Sequence, residues 1–110
     1  MPHYMLMFVG DENRREGSKE ARDRGMAAVG KWWSDHQSVI KGGERLDTSR
    51  TATTVRRVNG QMKVVDGPFI ESKEQVGGYA LVDVSDLDAA IQLARTWPMG
   101  DVEVRPVVER

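Results

Sequence analysis

The sequence predicts an α+β protein in which two helices cover one face of a ferredoxin-like antiparallel sheet. Three observations support this: the elements follow the order strand, helix, hairpin, strand, helix, strand; an Asn-Gly pair marks the hairpin; and each helix follows a strand. Right-handed crossovers then place both helices on the same face. The hairpin is expected to add one strand to this plan. At 110 residues, the chain is expected to form a single domain over residues 1–110.

The first part of the chain predicts a strand followed by a helix. Residues 4–9 are apolar without alternation, which is typical of a strand covered on both faces. After a polar connection over residues 11–17, the Ser18 hydroxyl is expected to cap the first helix. Apolar side chains and one histidine then recur at helical spacing: Met26, Val29, Trp33, His36 and Ile40. Gly42-Gly43 is expected to end this helix, because glycine accepts the left-handed conformation at a helix C-terminus.

The middle of the chain predicts a hairpin and a second buried strand. Residues 51–58 are rich in β-branched side chains, and Asn59-Gly60 predicts a two-residue turn with positive φ at both positions. Residues 62–65 are expected to return antiparallel. Gly67-Pro68 interrupts the pairing, since proline has no amide donor. Residues 78–84 then read as a strand that is apolar on both faces.

The last part predicts a second helix and an edge strand. Ser85, with Asp88 three residues later, fits a capping box. The buried stripe of this helix is expected to contain Leu87, Ala90, Ile91 and Ala94. Pro98 is expected to close the helix. Residues 102–105 alternate between apolar and charged side chains, and Pro106 favours the edge of the sheet.

The apolar pattern also predicts a homodimer. Two helices can cover one face of the sheet only, whereas the strands at 4–9 and 78–84 are apolar on both faces. The second face would expose a contiguous apolar patch, which soluble monomers rarely tolerate. A second copy packed sheet against sheet, with twofold symmetry, covers that face.

The loop after the hairpin concentrates the ionisable side chains. Asp66, Glu71 and Glu74 lie within nine residues, and Lys73 lies among them. Carboxylates held close together raise one another's pKa, which can produce a general acid or base near neutral pH. A solvated loop in which Asp66 bonds its own turn amides explains the same residues. Both interpretations stay open from the local sequence.

The candidate catalytic residues are Asp66, Glu71 and His36. Histidine is the side-chain type that titrates near neutral pH, and His36 is the internal histidine of the chain. Asp66, together with Glu71 or His36, is expected to move a proton. The alternative for His36 is a half-buried packing role beside Trp33.

Five side chains are candidate ligand contacts: Lys73, Glu74, Phe69, Tyr79 and Arg105. Lys73 or Arg105 is expected to hold a negative charge on the ligand. Phe69 is expected either to plug the loop or to wall an apolar pocket.

Composition excludes several classes of function. A formal net charge of −1, without a strongly basic balance, argues against nucleic acid. The chain has no cysteine, no His-x-x-x-His pair and no calcium-loop spacing, so neither a metal nor a cofactor is predicted. No segment resembles an export signal or approaches the roughly 20 apolar residues of a membrane span. We therefore expect a cytoplasmic protein without a membrane partner.

The loop also carries a family resemblance. Asp66-Gly67-Pro68-Phe69 followed by Glu71-Ser72-Lys73-Glu74 resembles the signature of the DGPF branch of the YCII-related family. The similarity covers nearly the whole chain and includes the C-terminal segment Glu103-Val104-Arg105-Pro106. This resemblance implies a dimeric α+β barrel. Some YCII-related proteins carry a His–Asp pair proposed as catalytic, and nothing in the spacing here assigns His36 to it.

Two functions follow as hypotheses. The first is a small enzyme with a cleft near the dimer seam for a small, anionic organic molecule; the resemblance implies lyase- or isomerase-like chemistry on ring lactones, by analogy of fold. The second is a non-catalytic module that binds a metabolite or a protein. DGPF-type proteins are associated with alternative sigma factors, so the resemblance implies a sigma factor as a candidate partner. The sequence does not decide whether the protein is an enzyme.

Overall fold

The computed structural model describes residues 2–12 and 18–109. The strands in these residues are β1 (His3–Asp11), β2 (Ile40–Arg45), β3 (Thr53–Val58), β4 (Gln61–Asp66), β5 (Glu74–Asp83) and β6 (Asp101–Pro106). The helices are α1 (Lys19–Asp35) and α2 (Leu87–Arg95), and a short 3-10 turn covers Ser49–Thr51. Most of the connection predicted at residues 11–17 lies outside the described residues. Neither helix is long and apolar enough to cross a membrane in the part of the chain that the structure describes.

The main sheet is antiparallel and has the strand order β2-β5-β1-β6. When the β3–β4 hairpin is set aside, the elements follow the order β-α-β-β-α-β, so the predicted ferredoxin-like plan is confirmed. The hairpin forms a separate two-stranded sheet. The prediction that it adds a strand to the main sheet is therefore wrong, and the strand that the sequence reading missed is β2.

The core lies between the main sheet and the two helices. Alternate residues of β1 and β5 point into it, where they meet α1 and α2 on the same face of the sheet. The buried side chains are Tyr4, Leu6, Phe8, Trp32, Ala80, Val82, Val84, Ala90 and Leu93. Both helices thus cover one face, as predicted.

An aromatic cluster joins the two helices to β1. The Phe8 ring stacks on Trp97 with 3.7 Å between ring centroids, and it meets Trp32 edge to face at 5.6 Å. The indole Nε1 of Trp32 donates to the Thr96 hydroxyl at 2.8 Å, so the polar atom of this buried ring has a partner. The hydroxyl hydrogen of Thr96 is directed to the Leu93 carbonyl oxygen at 2.6 Å.

The helix starts follow side-chain caps. The Ser18 hydroxyl accepts the N–H of Ala21 at 3.2 Å, which confirms the predicted cap of α1. The cap of α2 is Asp86, whose carboxylate accepts the N–H of Ala89 at 2.9 Å. The prediction of Ser85 as the cap is wrong by one residue.

α1 ends at Asp35, earlier than its sequence pattern predicts. The chain turns at His36, whose carbonyl accepts the N–H of Ile40 at 3.2 Å. Ile40 then begins β2, which pairs with β5. Gly42-Gly43 lies within this strand, so the prediction that it ends a helix is wrong.

Helix α1 and strand β2 approach each other closely at Gly43. The buried tryptophan of α1 is Trp32, and Trp33 is half-buried against β2. A Cβ at Gly43 would lie 2.8 Å from a ring carbon of Trp33 and closer still to the Tyr79 carbonyl oxygen. Its φ of 149° also lies in a region that L side chains rarely adopt. Glycine at this position therefore allows β2 to approach both β5 and the helix.

The other face of the main sheet carries no helix in the described residues. Its centre is half-buried and apolar, with Met5 opposite Leu81 and Met7 opposite Tyr79. Charged side chains flank this centre on both edge strands: Glu44 on β2, and Glu103 and Arg105 on β6. We call this surface the open face. It is apolar along the two central strands and polar along its edges.

The chain is flat and extended for its size. Its dimensions are 45 × 45 × 17 Å, and its radius of gyration of 16.1 Å exceeds the roughly 13 Å expected of a compact chain of this length. The solvent-accessible surface is 8267 Å². A compact monomer of 12.3 kDa is expected to expose only about 6,100 Å².

Candidate ligand-binding site

A cavity of about 290 Å³ lies beside the turn that follows the hairpin. It is lined by residues 46–49, 51 and 52 on one side, and by Pro68, Gln75 and Val76 on the other. This volume lies just below the ~300–1,000 Å³ range of small-molecule sites. The cavity is therefore suited to a molecule of metabolite size.

The first wall is held by an acidic side chain that directly follows β1. The Glu12 carboxylate accepts the backbone N–H of Ser49 at 3.0 and 3.1 Å, and it also accepts the Ser49 hydroxyl. Within the same wall, Asp47 accepts the N–H of Thr48 at 2.7 Å, and the Thr51 hydroxyl donates to the Thr48 carbonyl at 2.8 Å. Hydrogen bonds to ionised groups are stronger than neutral ones, so Glu12 anchors this segment to the main sheet.

The Gly67-Pro68 turn is attached to the same wall. The N–H of Gly67 donates to the Ala52 carbonyl at 2.8 Å, and the Thr54 hydroxyl donates to the Gly67 carbonyl at 2.7 Å. The φ of Gly67 is 107°, a conformation that favours glycine. These bonds place Pro68 against the cavity, so the turn is part of the site.

The second wall depends on Gln75, the second residue of β5. Its side-chain amide donates to the Ile70 carbonyl at 3.1 Å and to the Ser72 carbonyl at 3.0 Å. The Ser72 hydroxyl in turn accepts the N–H of Glu74 at 3.2 Å. Gln75 thus holds the loop in a fixed shape while it lines the cavity.

A bulge ends the regular part of β5 next to this wall. The β1–β5 register shifts between Phe8 and Val9, which leaves Gly77 as the extra residue. The carbonyl of Gly77 accepts the N–H of Leu46, a lining residue, at 2.9 Å. A Cβ at Gly78 would lie 3.0 Å from the Glu44 carbonyl oxygen, so glycine here allows the close approach.

The polar side chains of the lining are those of Asp47 and Gln75 and the hydroxyls of Thr48, Ser49 and Thr51. Asp47 uses Oδ1 in its own turn, which leaves Oδ2, and Gln75 uses its Nε2 atom, which leaves Oε1. The described lining contains no lysine or arginine. The site therefore favours a ligand that donates hydrogen bonds.

The loop residues predicted as catalytic or ligand-binding flank the cavity in sequence, and none of them is among its lining residues. Asp66, Glu71, Lys73 and Glu74 are all exposed. Among the described hydrogen bonds and ion pairs, none joins Asp66 to the other three. Phe69 is 64% exposed, and the Arg56 guanidinium lies 4.6 Å from the centre of its ring.

The remaining predicted residues lie in two other places. His36 follows α1 on the helix side of the sheet, where its Nε2 lies 3.4 Å from the Thr96 hydroxyl and its ring centroid lies 5.2 Å from that of Trp32. Tyr79 and Arg105 lie on the open face, and Arg105 forms an ion pair with Glu103. Because the sheet separates these two positions, one chain does not bring His36 together with Tyr79 or Arg105.

The structure adds four residues that the sequence reading did not single out: Glu12, Asp47, Ser49 and Gln75. Gln75 directly follows the Glu71–Glu74 part of the motif, so its position in the sequence could have identified it as a site residue. Glu12 and Ser49 are 37 residues apart, and no local pattern connects them.

A second, shallower depression of about 430 Å³ lies at the edge between α1 and β2. Trp33 and Ile40 provide its apolar surface, and none of the predicted site residues lines it. In the described part of the chain, no three acidic, histidine or cysteine side chains converge as metal ligands.

The fold defines the chain as a ferredoxin-like α+β protein with a walled cavity beside its Asp-Gly-Pro-Phe turn. A family model described as the YCII-related domain matches residues 3–110. The uncharacterized protein R00369 of Rhizobium meliloti (strain 1021) is 34% identical over 112 positions, which cover 94% of this chain and 90% of that protein. The chain therefore belongs to the YCII-related family.

The fold is also similar to that of a solved enzyme structure. This is the 5-chloro-2-hydroxyhydroquinone dehydrochlorinase (TftG) from Burkholderia phenoliruptrix AC1100, in complex with 2,5-dihydroxybenzoquinone. The superposition has a TM-score of 0.51, covers 100% of this chain and 96% of that chain, and has 14% sequence identity. At this identity, the likeness concerns the fold.

Proposed function

We propose that the protein is a homodimer of the DGPF branch of its family and binds a small hydroxylated ring compound in the 290 Å³ cavity. One observation carries the ligand site: three separate segments are joined into fixed walls by the Glu12–Ser49, Gly67–Ala52 and Gln75–loop hydrogen bonds. Preformed walls reduce the entropy lost on binding. This favours a binding site over an incidental gap between loops.

The acceptor groups of the lining define the ligand class. Hydroxyl hydrogens of a ligand can be directed to Asp47 and Gln75, whereas an anion would meet the Asp47 carboxylate without a cation in the described lining. The anionic ligand expected from the sequence relied on Lys73 and Arg105, and neither lines the cavity. The bound quinone of the dehydrochlorinase supports a ring compound through the common fold alone.

Lyase- or isomerase-like chemistry is the proposed activity. Asp66 is exposed and directly precedes Gly67, whose N–H is bound to the lining residue Ala52, so a proton that Asp66 accepts from a ligand can be returned at another position or released to water. Asp47 is proposed to orient the ligand through a hydroxyl group. Glu71 remains a second candidate for the proton transfer.

The dimer is proposed to use the open face. Packing two open faces together would bury Met5, Met7 and Leu81 and complete a dimeric α+β barrel. The charged edge strands would form the rim, as in most protein interfaces. The proposal is tested by sedimentation equilibrium, where a monomer at tens of micromolar would contradict it.

The ligand proposal is tested by NMR titration of the labelled protein with three probes: catechol, hydroquinone and the acidic 2,5-dihydroxybenzoquinone. We expect the two neutral phenols to shift the amides of residues 46–52 and 75–76. Asp47→Asn should weaken this binding by about tenfold, and Asp23→Asn on the exposed surface of α1 serves as the control. Exclusive binding of the quinone, or shifts elsewhere, would contradict the assigned ligand class.

One observation favours a second candidate, binding without catalysis. The loop acids are exposed, and no described bond joins Asp66 to Glu71 or Glu74. In that case Asp66→Asn would retain the amide shifts, and no probe would be converted. A sigma factor as a protein partner rests on the family association, and a pull-down with loop-acid variants tests it.

A further inference from the structure

The β3–β4 hairpin, which we call the arm, forms a two-stranded sheet separate from the main sheet. Its two strands pair only with each other among the described strands. A two-stranded hairpin alone in water is marginally stable at best. All six residues in each strand are paired, and a partner that covers the arm would stabilise this pairing.

One surface of the arm carries an exposed apolar cluster, flanked on the same side by the charged residues Arg57 and Asp66. Val55 and Val64 are directly opposite each other, and Met62 follows on the same side. They are 53%, 71% and 52% exposed, respectively. Large hydrophobic side chains clustered on one side of a sheet mark an interaction surface rather than scattered surface residues.

The opposite surface of the arm faces its own chain. Thr54 donates to the Gly67 carbonyl, and Arg56 covers the ring of Phe69. Val65 is on this side and is 44% exposed. The two surfaces of the hairpin thus differ, since the described contacts with the following loop involve Thr54 and Arg56, and none is described for Val55, Met62 or Val64.

The chain has more solvent-accessible surface than a compact chain of the same mass. The chain exposes 8267 Å², about 2,200 Å² more than a compact chain of its mass. The open face, four strands wide and about six residues long, accounts for only about 400 Å² of flat area. Obligate homodimers bury roughly 2,000–5,000 Å² in total, so burial of the open face and the arm together fits that class.

We infer that the arm is a clasp whose Val55–Val64 surface packs on a second copy of the chain. This inference rests on the proposed homodimer and adds an interface to it. With twofold symmetry, the partner that covers the open face can also cover the arm. Each chain then packs its arm on the other chain. An unrelated partner would have to cover both surfaces separately.

The clasp connects dimerisation to the ligand cavity. The arm ends at Asp66, and the next residue, Gly67, is bound to the cavity wall at Ala52. Docking of the arm on the partner therefore stabilises the position of Pro68 in the lining. Ligand affinity is expected to fall when the arm is released.

The test compares two neighbouring valines on opposite surfaces of β4. Val64→Lys should raise the dimer dissociation constant, measured by sedimentation equilibrium, by about tenfold or more. Val65→Lys, its matched control, should change this constant by less than about threefold. Val64→Thr and Val65→Thr repeat the comparison with β-branched side chains, in case lysine disrupts the hairpin itself. Equal effects within each pair would overturn the clasp.

A third variant separates failure of the clasp from failure of the homodimer. Leu81→Lys lies at the centre of the open face and should dissociate the dimer. If it does while Val64→Lys and Val65→Lys behave alike, the homodimer stands and the clasp is wrong. If the wild-type chain is a monomer, both proposals fail. Fluorescence of Trp32, Trp33 and Trp97, which are all outside the arm, checks that each variant retains its folded body.

Discussion

The carboxylate of Glu12 accepts the backbone N–H of Ser49 at 3.0 and 3.1 Å across 37 residues of sequence. Glu12 follows the last residue of β1, and Ser49 begins the 3-10 turn that precedes the arm. The pair therefore joins the main sheet to one wall of the cavity. Its position makes it a structural support of the site, separate from any chemistry.

Removing the charge of Glu12 should loosen that wall. Glu12→Gln is expected to lower the free energy of unfolding by about 1–2 kcal/mol, because Ser49 loses a charge-assisted acceptor. Chemical denaturation and amide exchange at Ser49 measure the effect. Glu109→Gln, exposed near the C-terminus, is the control and should stay within about 0.5 kcal/mol. Equal stability of the two variants would contradict a supporting role for Glu12.

The two consecutive glycines of β2 should differ sharply when replaced. Gly43→Ala places a Cβ 2.8 Å from Trp33 and closer to the Tyr79 carbonyl, at a φ of 149°. We expect a loss of about 3 kcal/mol or more in unfolding free energy. Gly42→Ala meets no atom within 4 Å and should cost less than about 1 kcal/mol. Similar melting temperatures for both variants would be inconsistent with the described β2.

The hydrogen bond between the Thr96 hydroxyl and the buried indole of Trp32 should contribute to the free energy of unfolding. Thr96→Val preserves the shape but removes the acceptor for the indole N–H at 2.8 Å. Trp32 is only 3% exposed, so the unpaired donor should cost about 1–3 kcal/mol. Thr96→Ser retains the hydroxyl and should recover most of this loss. Urea denaturation followed by tryptophan fluorescence distinguishes the two outcomes.

Gln75 should control the loop more than the global stability. Gln75→Ala removes two bonds to the Ile70 and Ser72 carbonyls, which water can replace, so the cost should be about 1 kcal/mol or less. Limited proteolysis within residues 69–73 should nevertheless become faster, because the loop loses its internal support. Gln92→Ala on the exposed surface of α2 is the control. Unchanged cleavage in Gln75→Ala would contradict this role.

The elements that sequence reading located correctly depend on short-range chemistry. The Ser18 cap, the Asn59-Gly60 turn and the antiparallel return of β4 are each specified within a few residues. The buried strand β5 was recognised because apolar residues occupy both of its faces. Such signals do not need a partner element, so one sequence is sufficient to read them.

The errors occur where a distant partner decides between two local states. A Gly-Gly pair after an apolar stripe is compatible with a helix end and with a strand. Pairing with β5 selects the strand, because β5 bonds the backbone groups along the edge of β2 that faces it. The buried face of α1 includes Trp32, whereas the sequence pattern predicted Trp33. The reason is related, because Trp32 packs on Phe8 and Trp97, and these contacts are long-range.

The sequence alone determined the α+β plan, the hairpin and the loop around Asp66 to Glu74, since periodicity, turn residues and charge are local properties of the chain. Only the tertiary structure decided that Asp47, Ser49 and Gln75 line the cavity with Pro68 while Glu12 holds one wall. It also decided that His36 lies across the sheet from Tyr79 and Arg105. The physical reason is that a wall or a pair of faces exists only after the strands have paired. Pairing depends on contacts between residues tens of positions apart, and these contacts cannot be predicted from any one segment of the sequence.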